Sequence, residues 1–365
     1  MGIMKYHILL SALIGSLITL PLRAITLQQH SEPKAVRTFS SNAGGGKQPG
    51  RIQNPAQNAR VEPVVFKNGA ITLRGTLYLP QGSGPHPALI AFHAASGGER
   101  TFPFYKHLME VLPANGVAVL LFDRRGSGES GGDFQTATFG DLASDGIAGL
   151  QYLKTRKDID RRHISVWGVS QGGWIAPLAA VMSDEIAFVV VVSGPGVSPA
   201  EQMSYSAAYS LREAGYSDEI VKEALKLRAL VDSYFRGQSR AEEVRPALAK
   251  ARSQQWFDLA YVRAELPQNP KTTKWYQEMD FNPLPTLAKL RVPVLFFFGE
   301  TDRWVPIEES IKKITEATRA NPHVNIYRIG GADHLMMTGK PDSGGPVSAE
   351  YIKRIAQWIK SQIAK

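Results

Sequence analysis

Runs of consecutive apolar residues recur along the chain and are the first guide to its fold. The runs at residues 88–92, 117–122 and 292–298 contain no charged residue. An apolar run without polar alternation is typical of a strand that is buried on both faces of a parallel sheet. Further strands are predicted at residues 164–169, 188–192 and 324–329. The pattern therefore predicts a mostly parallel central sheet.

A tight turn joins two strands that precede these runs. Residues 61–66 and 71–79 are rich in β-branched and apolar side chains, and Lys67-Asn68-Gly69 separates them. Asn-Gly between two such stretches is a strong hairpin signal, because both residues adopt the left-handed conformation readily. We therefore expect an antiparallel hairpin here.

Apolar residues at helical spacing predict amphipathic helices at residues 139–154 and 347–363. Asp141 and Asp145 lie one turn apart on the first of these helices. Two carboxylates at this spacing are compatible with a metal site, but a solvated helix face explains them better. We therefore expect both side chains in solvent.

The segment between residues 199 and 284 has few strand signals and is predicted to be a helical insert in the sheet. Helix-forming stretches at 200–214, 218–235 and 241–252 are separated by glycines. Residues 61–198 and 285–365 then form the domain that carries the insert. Its aromatic residues are Tyr205, Tyr209, Trp256, Tyr261, Trp275, Tyr276 and Phe281. These rings could line an apolar pocket or hold the helices together.

The first 60 residues differ in character from the rest. Within residues 1–24, Lys5 precedes a nearly wholly apolar stretch, and Arg23-Ala24 ends it. This is the pattern of a signal peptide cleaved after Ala24, and an uncleaved membrane anchor is the alternative. Residues 25–60 are rich in polar residues, Gly and Pro, which predicts a disordered linker. We expect an exported protein, periplasmic or secreted, with no stable membrane insertion after cleavage.

The charge and the cysteine content of the chain exclude several kinds of partner and site. The formal net charge of the 365-residue chain is +9, but the Lys and Arg residues are scattered, so nucleic acid is not an expected partner. The chain has no cysteine, which excludes disulfides, thiolate metal sites and a cysteine nucleophile. The oligomeric state is left open.

The segment Gly168-Val169-Ser170-Gln171-Gly172 follows one predicted strand and precedes a helix-forming stretch. Strand, tight turn and helix are the context in which Gly-x-Ser-x-Gly presents a nucleophilic serine. The glycines allow backbones to approach closely, and the N–H of Gln171 at the helix start could face a developing oxyanion. An incidental glycine-rich loop is the alternative interpretation.

A second motif, Asp123-x-Arg125-Gly126-x-Gly128-x-Ser130, follows the strand at 117–122. Gly126, Gly128 and Gly131 also match the spacing of a dinucleotide-binding fingerprint, but that fingerprint opens a helix at once. Here the loop continues to about residue 138. We therefore interpret this segment as a structural turn.

Together the two motifs resemble those of the α/β-hydrolase superfamily, in particular its serine esterases and related dipeptidyl, oligo- and aminopeptidases. The resemblance covers about residues 60–200 and 285–365. It implies an α/β-hydrolase fold with a helical cap, a catalytic triad and no metal or organic cofactor. The family's frequent His-Gly-Gly loop is replaced by His93-Ala94-Ala95. The resemblance implies a second oxyanion donor from this loop, for which we favour Ala95 over Ala94, with His93 as a core or orienting histidine.

The resemblance also implies a carboxylate and then a histidine after the serine in chain order. Asp302 lies in a Gly-x-x-Asp-x-x-Val loop after the strand at 292–298, and Glu300 is the alternative acid. His334 lies in a glycine-rich turn after the last strand, where the family places its base. The implied triad is Ser170, Asp302 and His334, with Gln171 and Ala95 as oxyanion donors.

The expected function is hydrolysis of a carboxylic ester through an acyl-enzyme. The same triad cleaves amides, so a short peptide substrate is the enzymatic alternative. A hydrolase-fold binding protein without catalysis is the alternative from another class, and the ordered Ser, Asp and His argue against it. The substrate would be a small molecule in either enzymatic case.

The export hypothesis is tested by the mature N-terminus. Cells that make the full-length chain should yield a protein that begins near Ile25, because cleavage is expected after Ala24. N-terminal sequencing or intact mass would check this. Recovery of an uncleaved Met1 in the membrane fraction would instead support the anchor.

Overall fold

The computed structural model of the chain describes residues 59–339 and 345–364. The predicted signal peptide lies outside the described residues, and so does the predicted linker up to residue 58. The first strand begins at Ala59. Ala59 and Arg60 therefore belong to the sheet and not to the linker, in which the sequence placed them.

One eight-stranded sheet organises the described residues, with the strand order β1-β2-β4-β3-β5-β6-β7-β8. The strands are β1 (Ala59–Asn68), β2 (Ile71–Pro80), β3 (His86–Phe92), β4 (Ala118–Phe122), β5 (Ile159–Val169), β6 (Val189–Val192), β7 (Val294–Gly299) and β8 (Val324–Ile329). β1 and β2 form the predicted antiparallel hairpin, and β2 pairs antiparallel with β4. All other neighbours are parallel. The predicted mostly parallel sheet is confirmed.

The helices of the described part cover both faces of this sheet. They are α1 (Lys106–Ala114), α2 (Phe139–Lys154), α3 (Gly172–Met182), α4 (Pro199–Glu213), α5 (Asp218–Phe235), α6 (Ala241–Ala251), α7 (Lys274–Glu278), α8 (Leu284–Lys289), α9 (Ile307–Ala317) and α10 (Ala349–Ile363). None of the described helices has the length and apolar character needed to span a membrane.

Two apolar layers explain why the strands are so uniformly hydrophobic. Every residue of β4, β6 and β7 is buried. On one face, side chains such as Ile90 and Val191 pack with α2 and α3 residues, and on the other face Trp167 and Phe297 pack with α10 residues such as Tyr351. Both faces of the strands are thus removed from water, as expected for the centre of a parallel sheet.

Helices α4 to α7 lie between β6 and β7 in the chain and have a hydrophobic cluster of their own. Helix α4 begins with a capping box in which the Ser198 hydroxyl accepts from the Glu201 N–H and the Glu201 carboxylate accepts from the Ser198 N–H. Trp256 is 2% exposed inside this cluster. We call residues 199–284 the cap.

Asp145 corrects one sequence-based expectation. It is 1% exposed, whereas the sequence placed it on a solvated face. The Arg125 guanidinium binds it with two bonds, Nε to Oδ2 at 2.6 Å and Nη2 to Oδ1 at 2.7 Å. Arg125 belongs to the loop after β4, so the pair ties this loop to α2. Asp141 remains 47% exposed on its side chain and caps the helix through Thr138.

Removal of the Asp145 carboxylate should destabilise the protein strongly, because Arg125 would be left charged and buried. We expect Asp145→Ala to lower the free energy of unfolding by about 3–5 kcal/mol. Asp141→Ala, one turn away, is the control and should cost only about 1 kcal/mol, because it removes the cap and a longer, exposed contact with Arg125 at 3.7 Å. Denaturant unfolding of both variants checks this, and equal losses would show that the buried pair contributes little.

Candidate active site

Ser170 occupies the sharp turn between β5 and α3. Its backbone φ is 54°, a left-handed conformation that is uncommon for a residue with a Cβ. The Ser170 N–H donates to the carbonyl of Val192 at 2.9 Å, and the Ser170 carbonyl accepts from the N–H of Gly173 at 2.8 Å. These bonds hold the strained residue at the carboxyl end of the sheet.

The neighbouring glycines are required by close backbone contacts. A Cβ on Gly168 would lie 2.0 Å from the carbonyl oxygen of Gly172. A Cβ on Gly172 would lie 2.6 Å from the carbonyl oxygen of Phe92 and 2.9 Å from that of His93. The turn therefore packs directly on the end of β3, where the Ala94-Ala95 loop begins.

His334 and Asp302 lie on loops that follow two adjacent strands, β8 and β7. His334 Nδ1 is 2.8 Å from Asp302 Oδ2. The other carboxylate oxygen accepts from the N–H groups of Trp304 at 2.7 Å and Val305 at 3.1 Å, and Asp302 is 3% exposed. Glu300, the alternative acid, is exposed and pairs with Arg328 at 3.5 Å. Asp302 is therefore the carboxylate that the structure places on His334.

The two residues expected to donate to an oxyanion lie in the same cavity wall as Ser170 and His334. Among the described residues, neither the Gln171 N–H nor the Ala95 N–H has a hydrogen-bond acceptor. The carbonyls of Ala94 and Ala95 accept from Arg124 Nη1 at 2.9 and 3.0 Å, which fixes the loop. Both N–H groups are thus unpaired among the described residues, in a cavity that Ser170 also lines.

His93 is a core residue, as the sequence indicated. It is 4% exposed, and its Nε2 lies 2.6 Å from the carbonyl oxygen of Phe122. Burial lowers the pKa of His93 to about 3, so the ring is neutral at physiological pH. The His93 ring therefore carries no positive charge near neutral pH.

The cavity has a volume of about 420 Å³ and lies between the sheet end and the cap. Its aromatic lining residues are Phe134, Trp174, Phe235, Tyr261, Trp275 and Trp304. Of the cap aromatics singled out from the sequence, Tyr261 and Trp275 line the cavity, whereas Trp256 packs inside the cap. Both interpretations of these rings therefore apply, and Trp275 fits both, because it also packs against the hydrophobic cluster of the cap. No group of three or more potential metal ligands occurs in the described part of the chain.

Comparison with known proteins identifies the family of the chain. A sequence model described as "Alpha/beta hydrolase family" matches residues 89–343. The chain belongs to the α/β hydrolase family. The curated esterase EstD of Thermotoga maritima is 24% identical to it over 82% of this chain and 69% of its own length.

Solved structures show the same α/β-hydrolase fold. An esterase of Pyrococcus furiosus superimposes with a TM-score of 0.55 at 19% identity, over 87% of this chain and 99% of its own. Est1E from Butyrivibrio proteoclasticus, solved with ferulic acid bound, gives a TM-score of 0.54 at 20% identity over 83% and 100%. The predicted fold class is confirmed by these neighbours.

Sequence reasoning missed a charged cluster in the cavity wall of this α/β hydrolase. Lys274 Nζ lies 2.6 Å from Glu278 Oε1, and Gln171 Nε2 donates to Glu278 Oε2 at 3.3 Å. Arg124 lines the same wall. Burial raises the pKa of Glu278 to about 7, against the opposing charges of Lys274 and Arg124. Lys and Glu four positions apart normally indicate an exposed helix face, so the spacing gave no sign of the cavity.

Proposed function

We propose that this protein hydrolyses carboxylic esters through an acyl-enzyme formed on Ser170. The observation that carries the proposal is the 2.8 Å contact of His334 with Asp302 in a cavity wall that also contains the strained Ser170. The curated relative EstD is named an esterase, which supports the ester as the substrate.

In the first step, His334 Nε2 takes the proton of the Ser170 hydroxyl as Oγ attacks the ester carbonyl carbon. Asp302 accepts the Nδ1–H of His334, which fixes the tautomer in which Nε2 is unprotonated and can act as a base. The carboxylate also stabilises the imidazolium that forms. Because Asp302 is already held by two backbone N–H groups, it requires little reorganisation during the step.

The tetrahedral intermediate places negative charge on the former carbonyl oxygen. The N–H groups of Gln171 and Ala95, which lack acceptors in the described part of the chain, would donate to it. One such donor contributes about 3–4 kcal/mol of transition-state stabilisation in related chemistry. His334 then protonates the departing alcohol, and the acyl group stays on Ser170.

In the second step, His334 takes a proton from water, which attacks the acyl-enzyme and releases the acid. Every proposed group is a side chain or backbone N–H of this chain. The same sequence of steps would cleave an amide if the leaving amine were protonated. A panel of p-nitrophenyl esters beside aminoacyl p-nitroanilides therefore separates the two substrate classes.

Ser170→Ala should abolish ester turnover, by about a thousandfold or more, and should abolish labelling by a fluorophosphonate probe. Ser193 offers a matched control, since it is buried at the end of β6 with a φ of 49°. Ser193→Ala should keep both activity and labelling. Mass spectrometry of the labelled peptide and p-nitrophenyl acetate kinetics provide the measurements. Labelling that persists in Ser170→Ala would remove this serine from the mechanism.

Asp302→Asn should lower kcat by several orders of magnitude, about 10⁴-fold in a well-studied triad, because the amide stabilises the wrong His334 tautomer. Glu300→Gln, two residues away, is the control and should be mild, since Glu300 is exposed. Steady-state kinetics of the two folded variants decide the assignment. A damaging Glu300→Gln beside a mild Asp302→Asn would reverse it.

A further inference from the structure

The charged residues that line the cavity are not balanced. The cationic residues are Arg124, Arg228, Arg263 and Lys274, and the acidic ones are Asp232 and Glu278. Charges in a partly buried cavity interact more strongly than charges on a surface, because water screens them less. The cavity therefore favours an anionic occupant over a cationic one.

Arg124 has unused hydrogen-bonding capacity. It is 9% exposed, and no carboxylate oxygen of the described residues lies within 4.0 Å of its guanidinium. Nη1 donates to two carbonyls, as described above, and the buried Nε has no partner in the described part. Burial lowers the pKa of Arg124 to about 10, so it stays protonated at neutral pH. An arginine with free donors of this kind is suited to a carboxylate.

Lys274 and Arg124 contact the same aromatic ring. The Arg124 Cζ is 3.5 Å from the ring centroid of Phe134, and the Lys274 Nζ is 4.3 Å from it. Burial lowers the pKa of Lys274, and the positive charge of Arg124 lowers it further. The two cations therefore repel each other, and an anion in the cavity that both residues line would relieve the repulsion.

Glu278 offsets these two cations only in part. Glu278 is one carboxylate beside two cations. Because its pKa is raised to about 7, a fraction of the Glu278 side chains is protonated and neutral near pH 7. The other two charged residues nearby have different partners. Arg228 donates to the carbonyls of Ala260 and Tyr261, and Asp232 accepts from Trp275. A positive charge therefore remains at the Arg124–Lys274 pair.

The pair is close to the reacting atoms. Lys274 contacts Glu278, which contacts the side chain of Gln171, the residue that follows Ser170. Arg124 also holds the Ala94-Ala95 loop. A group bound by the two cations in the cavity that Ser170 also lines would thus belong to the same molecule as the ester that reaches Ser170.

We propose that the Arg124–Lys274 pair binds a carboxylate on the substrate, so that the protein prefers esters that carry an anionic group a short chain away from the scissile bond. This inference rests on the proposed ester hydrolysis. It adds a specificity site to that function, with Glu278 as an internal carboxylate that competes for the same cations.

The test compares neutral and anionic esters of the same shape. On the acyl side, the p-nitrophenyl half ester of adipate is paired with the p-nitrophenyl ester of adipamate. On the alcohol side, the butyrate ester of p-hydroxybenzoate is paired with that of p-hydroxybenzamide. In one of the two pairs, kcat/KM should be about tenfold or more higher for the carboxylate, the size expected of a charge-assisted hydrogen bond. The pair that shows the preference identifies the side of the ester.

Four variants test whether the charged cluster around Lys274 causes the preference for the anionic ester. Lys274→Met should lower the carboxylate-to-amide ratio of kcat/KM toward one, and Lys274→Arg should keep it. Glu278→Gln should raise the ratio, since it removes the competing carboxylate. Lys271→Met is the matched control, because Lys271 is an exposed lysine of the cap, and should leave the ratio unchanged. A purely structural role for Lys274 and Glu278 would not move the ratio in opposite directions.

Binding is measured separately on Ser170→Ala, with methyl adipate half ester and methyl adipamate as ligands. The half ester should bind about tenfold more tightly. If the neutral esters are hydrolysed without preference for the anionic partners, the carboxylate site is wrong and the proposed function stands. If no ester is hydrolysed, the proposed function is wrong, and the binding ratio alone decides the carboxylate site. A ratio that Lys274→Met leaves intact would overturn the assignment.

Discussion

The close approach of α3 to the end of β3 is the constraint on which the site depends. Gly172 can lie against the carbonyl oxygens of Phe92 and His93 only because it has no Cβ. This contact sets the angle at which α3 leaves the sheet, and so the left-handed conformation of Ser170. It also brings the Gln171 N–H near the loop of Ala95. One steric requirement thus positions Ser170 and the two N–H groups that we propose as oxyanion donors.

A second close approach assembles the other half of the site. A Cβ on Gly299 would lie 2.2 Å from the carbonyl oxygen of Asp333 and 2.5 Å from that of Ala332. The loops after β7 and β8 can therefore pack against each other directly. Since these strands are parallel neighbours, the loops leave from the same edge of the sheet. Asp302 and His334 meet for this reason, although they are distant in sequence.

The buried strands and the serine turn could be predicted from the sequence, because each depends on residues that are close together in the chain. A strand buried on both faces must be apolar throughout, so β4 and β7 could be recognised from their sequences. A close backbone contact requires small residues, so the serine turn could be recognised from its glycines. The burial of Asp145 could not, because its partner Arg125 comes from another element. Lys274 and Glu278 were missed for a related reason: their spacing predicts that they pair, but not what packs over them.

The cap contains residues whose local sequence pattern does not reveal their position in the cavity wall. Its helices bury Trp256 to form their own core, as an amphipathic pattern requires, yet they also place Lys274 and Glu278 beside Gln171. Charges in such a position are costly to desolvate, and a buried ion pair is weak support for stability. Replacement of a buried ion pair by well-packed apolar residues is often neutral or stabilising. An unbalanced cluster next to Gln171 is therefore better explained by what it binds than by what it stabilises, which is the reason that we propose a substrate carboxylate as its ligand.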